Sequence, residues 1–156
     1  MSRLLILALL ISSPALAAAP KTGDTATYDV TTTQVPDQTG KLTWTVGALD
    51  PAADTAVLTQ SLTFMGRTQT SQLTTQYRTL AVVDQVVASC AQFGGTPEAL
   101  DVPAGHFNTC RLHEEDDKAV KTAWFASVPV LGFAKFTQTT KNDNVTMTFF
   151  LRSSTH

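Results

Sequence analysis

Of 156 residues the chain commits only two to cysteine, two to tryptophan, two to tyrosine and three to histidine, and 15% to charged side chains. Two cysteines cannot by themselves complete a thiolate zinc site, and they do not form a C-x-x-C pair. The hydrolase signatures G-x-S-x-G and H-E-x-x-H are missing. There is no basic excess: 11 Lys and Arg face 13 Asp and Glu, for a net charge of −2. That balance offers no field to attract phosphates, so nucleic acid is excluded as a partner, and no polybasic stripe for anionic lipid. Nor is there an unbroken apolar run of the roughly 20 residues a membrane-crossing helix needs. The longest, Leu4 to Ile11, is interrupted at once by Ser12, Ser13 and Pro14.

What that run does fit is a secretory signal peptide. Arg3 supplies the positive start, Leu4 to Ile11 the apolar stretch, and Ala15 and Ala17 the small residues that signal peptidase accepts. Residues 1–17 are therefore expected to be removed, leaving residues 18–156 as a single β domain without a transmembrane segment. No cysteine follows the small residues, so the lipid attachment of a bacterial lipoprotein is not expected.

Threonine is abundant, at 26 residues, and much of it alternates with apolar or aromatic side chains. β-Branched residues suit a pleated surface, and a period of two places one class on each face. "TATYDVTTTQV" and "KLTWTVGAL", separated by the turn "PDQTG", read as a hairpin. "TAVLTQSLTFMG" continues the alternation, and "GRTQTSQLTTQY" is read as a strand through Leu73 and Tyr77. The period then changes. In "DQVVASCAQFGG", Val86, Val87, Cys90 and Phe93 recur at helical spacing, with Asp84 as the N-cap and Gly94 as the stop, which predicts one short helix near 84–93. Beyond it "TPEALDV" and "HFNTCRLHE" flank the turn "PAG", the acidic "EEDDK" reads as a solvated turn, and three more strand-like runs follow. The total is eight or nine antiparallel strands with one helix, spaced as in a barrel, half-barrel or sandwich.

In a secreted chain Cys90 and Cys110 are expected to form a disulfide that fastens the helix to the "PAG" hairpin. A reactive thiol would need a base, and His106 stands four residues from Cys110, about 13 Å along a strand. His106 and His113 are seven apart and face opposite ways in a continuous strand, so they cannot share a metal. The acidic run Glu114 to Asp117 lacks the glycine and alternating ligands of a calcium loop. No catalytic residue, cofactor or metal ligand is assigned. The aromatics Trp44, Phe64, Phe107, Trp124, Phe133, Phe136 and Phe149 have two readings. They fill a core, or some of them (Trp44, Phe64, Phe107, Trp124 and Phe136) line a cavity for an apolar ligand. Phe149 and Phe150 are adjacent and must point to opposite faces.

"GGTPEALDVPAGHFNTCRL" and "TAWFASVPVLGFAKF" together resemble a group of secreted bacterial proteins of unknown function. The shared pattern is Val102 to Phe107 as a Val-Pro-Ala-Gly-x-Phe turn, Cys110 soon after, a strand with Trp124 and Phe125, and Pro129-x-x-Gly132-x-x-Lys135. The resemblance covers roughly residues 90–138 and implies an envelope protein of a Gram-negative bacterium, placed in the periplasm. It also implies a strongly curved antiparallel sheet similar to the half-barrels of lipoprotein carriers, which hold acyl chains. Three functions follow as expectations. The first is a non-enzymatic protein that binds an apolar, lipid-like ligand. The second is a structural or protein-interaction module with a filled core, partnered by another envelope protein. The third is a hydrolase with a discontinuous site, which would need His106 or His113 beside both a carboxylate and a hydroxyl.

Overall fold

The alternation of threonine with apolar residues becomes a pleat whose two faces differ in chemistry. In β1 (Thr25–Thr32) Ala26, Tyr28 and Val30 are buried while Thr27 and Asp29 between them stay partly exposed. In β2 (Thr39–Asp50) the buried set is Gly40, Leu42, Trp44 and Val46. The computed structural model describes residues 19–156, and the predicted signal peptide, residues 1–17, lies outside them. The remaining strands are β3 (Thr55–Phe64), β4 (Arg67–Thr75), β5 (Thr96–Val102), β6 (Gly105–Glu115), β7 (Ala119–Phe125), β8 (Phe133–Thr140) and β9 (Thr146–Thr155). All nine pair antiparallel in one sheet ordered β4-β3-β2-β1-β9-β8-β7-β6-β5. The edges β4 and β5 do not pair with each other, so the sheet is a half-barrel rather than a closed barrel.

Its curvature shows at the "PAG" turn. The Ala104 N–H donates to the Leu151 carbonyl of β9 at 3.0 Å. Three strand spacings separate β6 from β9, about 14 Å if the sheet were flat. The sheet is therefore rolled strongly enough to fold the β5–β6 hairpin onto its own middle.

The connection from β4 to β5 contains α1 (Tyr77–Ala81), α2 (Val83–Ala88) and a 3₁₀ turn (Cys90–Phe93). This corrects two expectations and adds a helix. The strand ends at Thr75, and Tyr77 begins α1, with its N–H bonded to the Asp54 carbonyl at 3.2 Å. The helix expected near 84–93 is present as α2 and the 3₁₀ turn, and α1 precedes it. Asp84 lies in the first turn of α2 and caps nothing, since the cap position is Val82. Tertiary contacts here, Leu80 on the main core and Val83 and Val86 buried, override the local capping signal. Gly94 does stop the 3₁₀ turn, with φ 74°, a backbone conformation that glycine adopts without strain. The acidic run also differs: Glu114 and Glu115 end β6, and only Asp116 to Lys118 form the turn.

The core sits on the inner face of β1, β2, β3 and β9, where Tyr28, Val30, Val46, Leu58 and Leu151 are almost wholly buried. The Tyr28 ring lies 4.9 Å from that of Phe133, and its hydroxyl donates to the Phe133 carbonyl at 3.1 Å. Burial pushes the Tyr28 phenol well above the ordinary phenol range. A raised native value means that the neutral phenol is favoured in the fold. That stabilisation is fully present below the unfolded value near 10 and is lost as pH rises above it, because only the unfolded chain then releases the proton. Urea midpoints of the wild type should fall steeply above pH ~10, and those of Tyr28→Phe should fall less. At neutral pH the substitution should cost about 1 kcal/mol for the lost hydrogen bond; equal alkaline slopes for the two proteins would refute the assignment.

Candidate functional site

The inner face divides into a filled and an open part. Across its open part the register aligns Val30 with Phe149, Phe149 with Phe136, Phe136 with Ala123, and Ala123 with Leu112. The Phe136 and Phe149 rings are 5.8 Å apart, and Phe136 and Phe133 5.6 Å. Toward β1 this row is roofed by the core. Toward β6 it opens into a groove of about 370 Å³ lined by Phe93, Leu112, Ala123, Phe125 and Phe136, with Glu114 and Lys121 among its polar residues. Ala123 is the reason for the space, because a methyl group stands between two large side chains.

The wall on the helical side is set by the disulfide. Cys90 and Cys110 are bonded, with their Cα atoms 5.4 Å apart, and both are buried with Val86 against Val82, Leu112 and Phe125. Gly95 lies so close to both sulfurs and to Leu112 that a Cβ there would collide with them. The bridge holds the 3₁₀ turn on β6, and with it Phe93, which is 43% exposed at the groove.

Charge at the mouth is held in place by local bonds. Asp116 accepts from the Lys118 and Ala119 amides at 2.7 and 2.8 Å and pairs with Lys121 at 3.3 Å. The two amide bonds, then Lys121, keep its carboxyl below the usual range. The Lys141 ammonium lies 2.6 Å from Glu115 and lowers that carboxyl in the same way. Lys121 thus stands at the groove with its partner on the turn, while Glu114, its register partner across the strands, lines the same mouth.

The five aromatics expected to line a cavity do not gather in one place. Phe136 lines the groove. Trp44 is 8% exposed within the filled core, Phe64 covers Gly40 at the far hairpin, and Phe107 packs on the core from the β5–β6 hairpin. Trp124 is turned away: it neighbours Ala123 on β7 and therefore takes the outer face, where the Lys135 ammonium sits 4.5 Å above its ring. The same ammonium lies 5.3 Å from the Phe150 ring, so Phe149 is the inner and Phe150 the outer member of that pair. Sequence reasoning missed Phe93, Leu112 and Phe125. Phe93 stands three residues after Cys90 and Leu112 two after Cys110, which is the signal that was present, whereas Phe125 joins them only through its register with Cys110.

His106 bonds Asp101 at 2.8 Å and His113 bonds the Thr122 hydroxyl at 3.0 Å. Among these bonds, the first brings a carboxylate without a hydroxyl and the second a hydroxyl without a carboxylate, and both pairs are exposed. Among the described residues no three His, Cys, Asp or Glu side chains converge as a metal site would require.

No family model matches the sequence, and no curated protein matches it. Solved structures share the fold, two of them as follows. One is a "putative exported protein with YmcC-like fold" from Bacteroides fragilis, with TM-score 0.57, 12% identity, and coverage of 90% of this chain and 99% of that one. The other is a "putative lipoprotein" from Parabacteroides distasonis, with TM-score 0.54, 10% identity, and coverage of 87% and 97%. At such identity the likeness is one of fold.

The disulfide closes a loop across a sequence separation of 20, for which chain entropy gives about 3 kcal/mol. The double variant Cys90→Ala/Cys110→Ala should lose about that much in urea denaturation. Iodoacetamide should leave both cysteines of the non-reduced, denatured wild type unlabelled, and labelling of both would show that the bridge is not formed.

Proposed function

We propose that the protein is a secreted envelope protein that holds an apolar, lipid-like moiety in the groove between the 3₁₀ turn and strands β6–β8. The observation that carries this reading is the 370 Å³ groove, its apolar floor and its charged mouth. Its size falls within the range of small-molecule sites, and an apolar floor with a few polar groups at the mouth is their usual construction. The exported and lipoprotein descriptions of the two structural neighbours, the signal-like N-terminus and the disulfide support a place in the envelope, and in particular the periplasm of a Gram-negative bacterium. Binding would be non-enzymatic: each methylene taken from water into the groove contributes ~0.8 kcal/mol, and the mouth orients the polar end.

Delipidated protein should take up a fluorescent fatty acid. Ala123→Trp, which fills the floor, should displace about two methylenes and weaken uptake roughly tenfold. Lys135→Ala, on the outer face, should leave uptake unchanged. No uptake by the wild type would reject the ligand reading. It would leave the second one, an interaction module that uses its exterior, which the filled half of the sheet around Tyr28, Trp44 and Leu58 favours.

A further inference from the structure

The two edges of the sheet are treated differently. β5 carries Pro97, which has no N–H to offer, and it packs against the 3₁₀ turn, while the hairpin it forms with β6 is tied back to β9. β4 has no such protection. It pairs with β3 over nine residues without a bulge, from Arg67 opposite Phe64 to Thr75 opposite Ala56. Every residue from Arg67 to Thr74 is exposed, and the strand contains no proline and no charge after Arg67. Edge strands in soluble proteins are ordinarily blunted by lysine, proline, bulges or a covering segment, and a long regular edge without them is a template for another strand.

We propose that β4 is a self-complementary edge at which two copies of this chain join, antiparallel, about a two-fold axis through Ser71. In this register Thr68 faces Thr74 of the second copy, Thr70 faces Gln72, Gln69 faces Leu73, and Arg67 faces Thr75. No like charges meet. The outer-face pairs created, threonine with threonine and glutamine with threonine, are those that already hold β4 to β3: Thr63 and Thr68 share a hydroxyl hydrogen bond at 2.9 Å, and the Gln72 amide donates to the Thr59 hydroxyl at 3.3 Å. Threonine pairs of the same kind join β1 to β2 through Thr27 and Thr43, at 3.2 Å, and β8 to β9 through Thr139 and Thr146, at 2.8 Å. On the inner face the axis brings Leu73, 40% exposed at the edge, against the aliphatic part of Gln69. The second copy therefore extends the sheet with the chemistry it uses internally. Because β5 is blocked, the pair closes on itself and does not grow into a filament. This interface is independent of the groove, which lies near the other edge.

Sedimentation velocity of the secreted protein should show a concentration-dependent species of twice the monomer mass. Ser71→Cys should form a covalent dimer under mild oxidation, because residues paired across an antiparallel axis have Cα atoms ~4.5–5.5 Å apart, within the reach of a disulfide. Thr75→Cys should not, since the same residues of the two copies would then be roughly 27 Å apart. Ser71→Lys, which sets two ammonium groups against each other at the axis, should shift the equilibrium toward monomer by about tenfold or more while far-UV circular dichroism stays unchanged. A monomer at all concentrations, Ser71→Cys crosslinking no faster than Thr75→Cys, or a ladder of higher oligomers would each overturn the proposal.

Discussion

Everything on the inner face depends on the pairing of β1 with β9. Strands β1 to β4 form one meander and β5 to β9 another, and the two are joined within the sheet only where Thr25 to Thr32 run beside Met147 to Thr155. The partners in this seam are more than a hundred residues apart in sequence, so their closure carries a larger entropic cost than any hairpin in the fold, although that cost rises slowly with length. What offsets it is concentrated at the seam. Tyr28 stands opposite Leu151, both fully buried, and Val30 opposite Phe149. Each large apolar side chain taken wholly from water contributes roughly 1.5–3 kcal/mol, so the seam outweighs its closure. The outer-face pair of Arg152 with Asp29, at 2.6 Å, lies beside it, but with the guanidinium half exposed it adds little. The disulfide does not touch this seam; it secures the second meander alone.

The same strand order dictates where the helices lie. β4 and β5 follow each other in sequence yet are opposite edges, so the chain between them must cross the sheet. Eight strand spacings make about 38 Å along a flat sheet, whereas the eleven α-helical residues of the crossing advance ~1.5 Å each and the four 3₁₀ residues ~2 Å each. A crossing with turns between its helices spans less than that, and the curl of the sheet brings its two edges within reach. Curl and crossing thus require each other, and the helical segment ends up on the inner side, where Leu80 covers the core and Val86 and Cys90 cover the end of β6.

The strands were legible because threonine alternation states the period and the face at once, as in Tyr28 and Val30 or Leu42, Trp44 and Val46. The cysteine pair was legible because the environment and the turn residues between Cys90 and Cys110 left few other uses for it. α1 was not, since Tyr77 to Ala81 carry no capping residue, and the segment is helical because Leu80 finds the core. The aromatics were legible as inward or outward only in relation to their own strands. Nothing in the local sequence around Trp124 says that its face looks out, because which parity faces the interior of a half-barrel is fixed by partners on other strands: Arg111 on one side and Lys135 on the other.

That dependence on partners also explains why one sheet can be filled at one end and open at the other. The inner face is filled by Tyr28, Trp44 and Leu58 on β1 to β3, whereas on β7 Ala123 stands small between Leu112 and Phe136. The filled end fixes the curvature, since its large side chains and the crossing helices set how far the sheet can roll. Ala123 on β7 then leaves a space beside the 3₁₀ turn, which the disulfide fastens to β6 with Phe93 at the groove. Collapse onto the groove would require the bridged segment to leave Leu112 and Phe125, which it buries. The opening therefore lies beside the same contacts that stabilise the second meander.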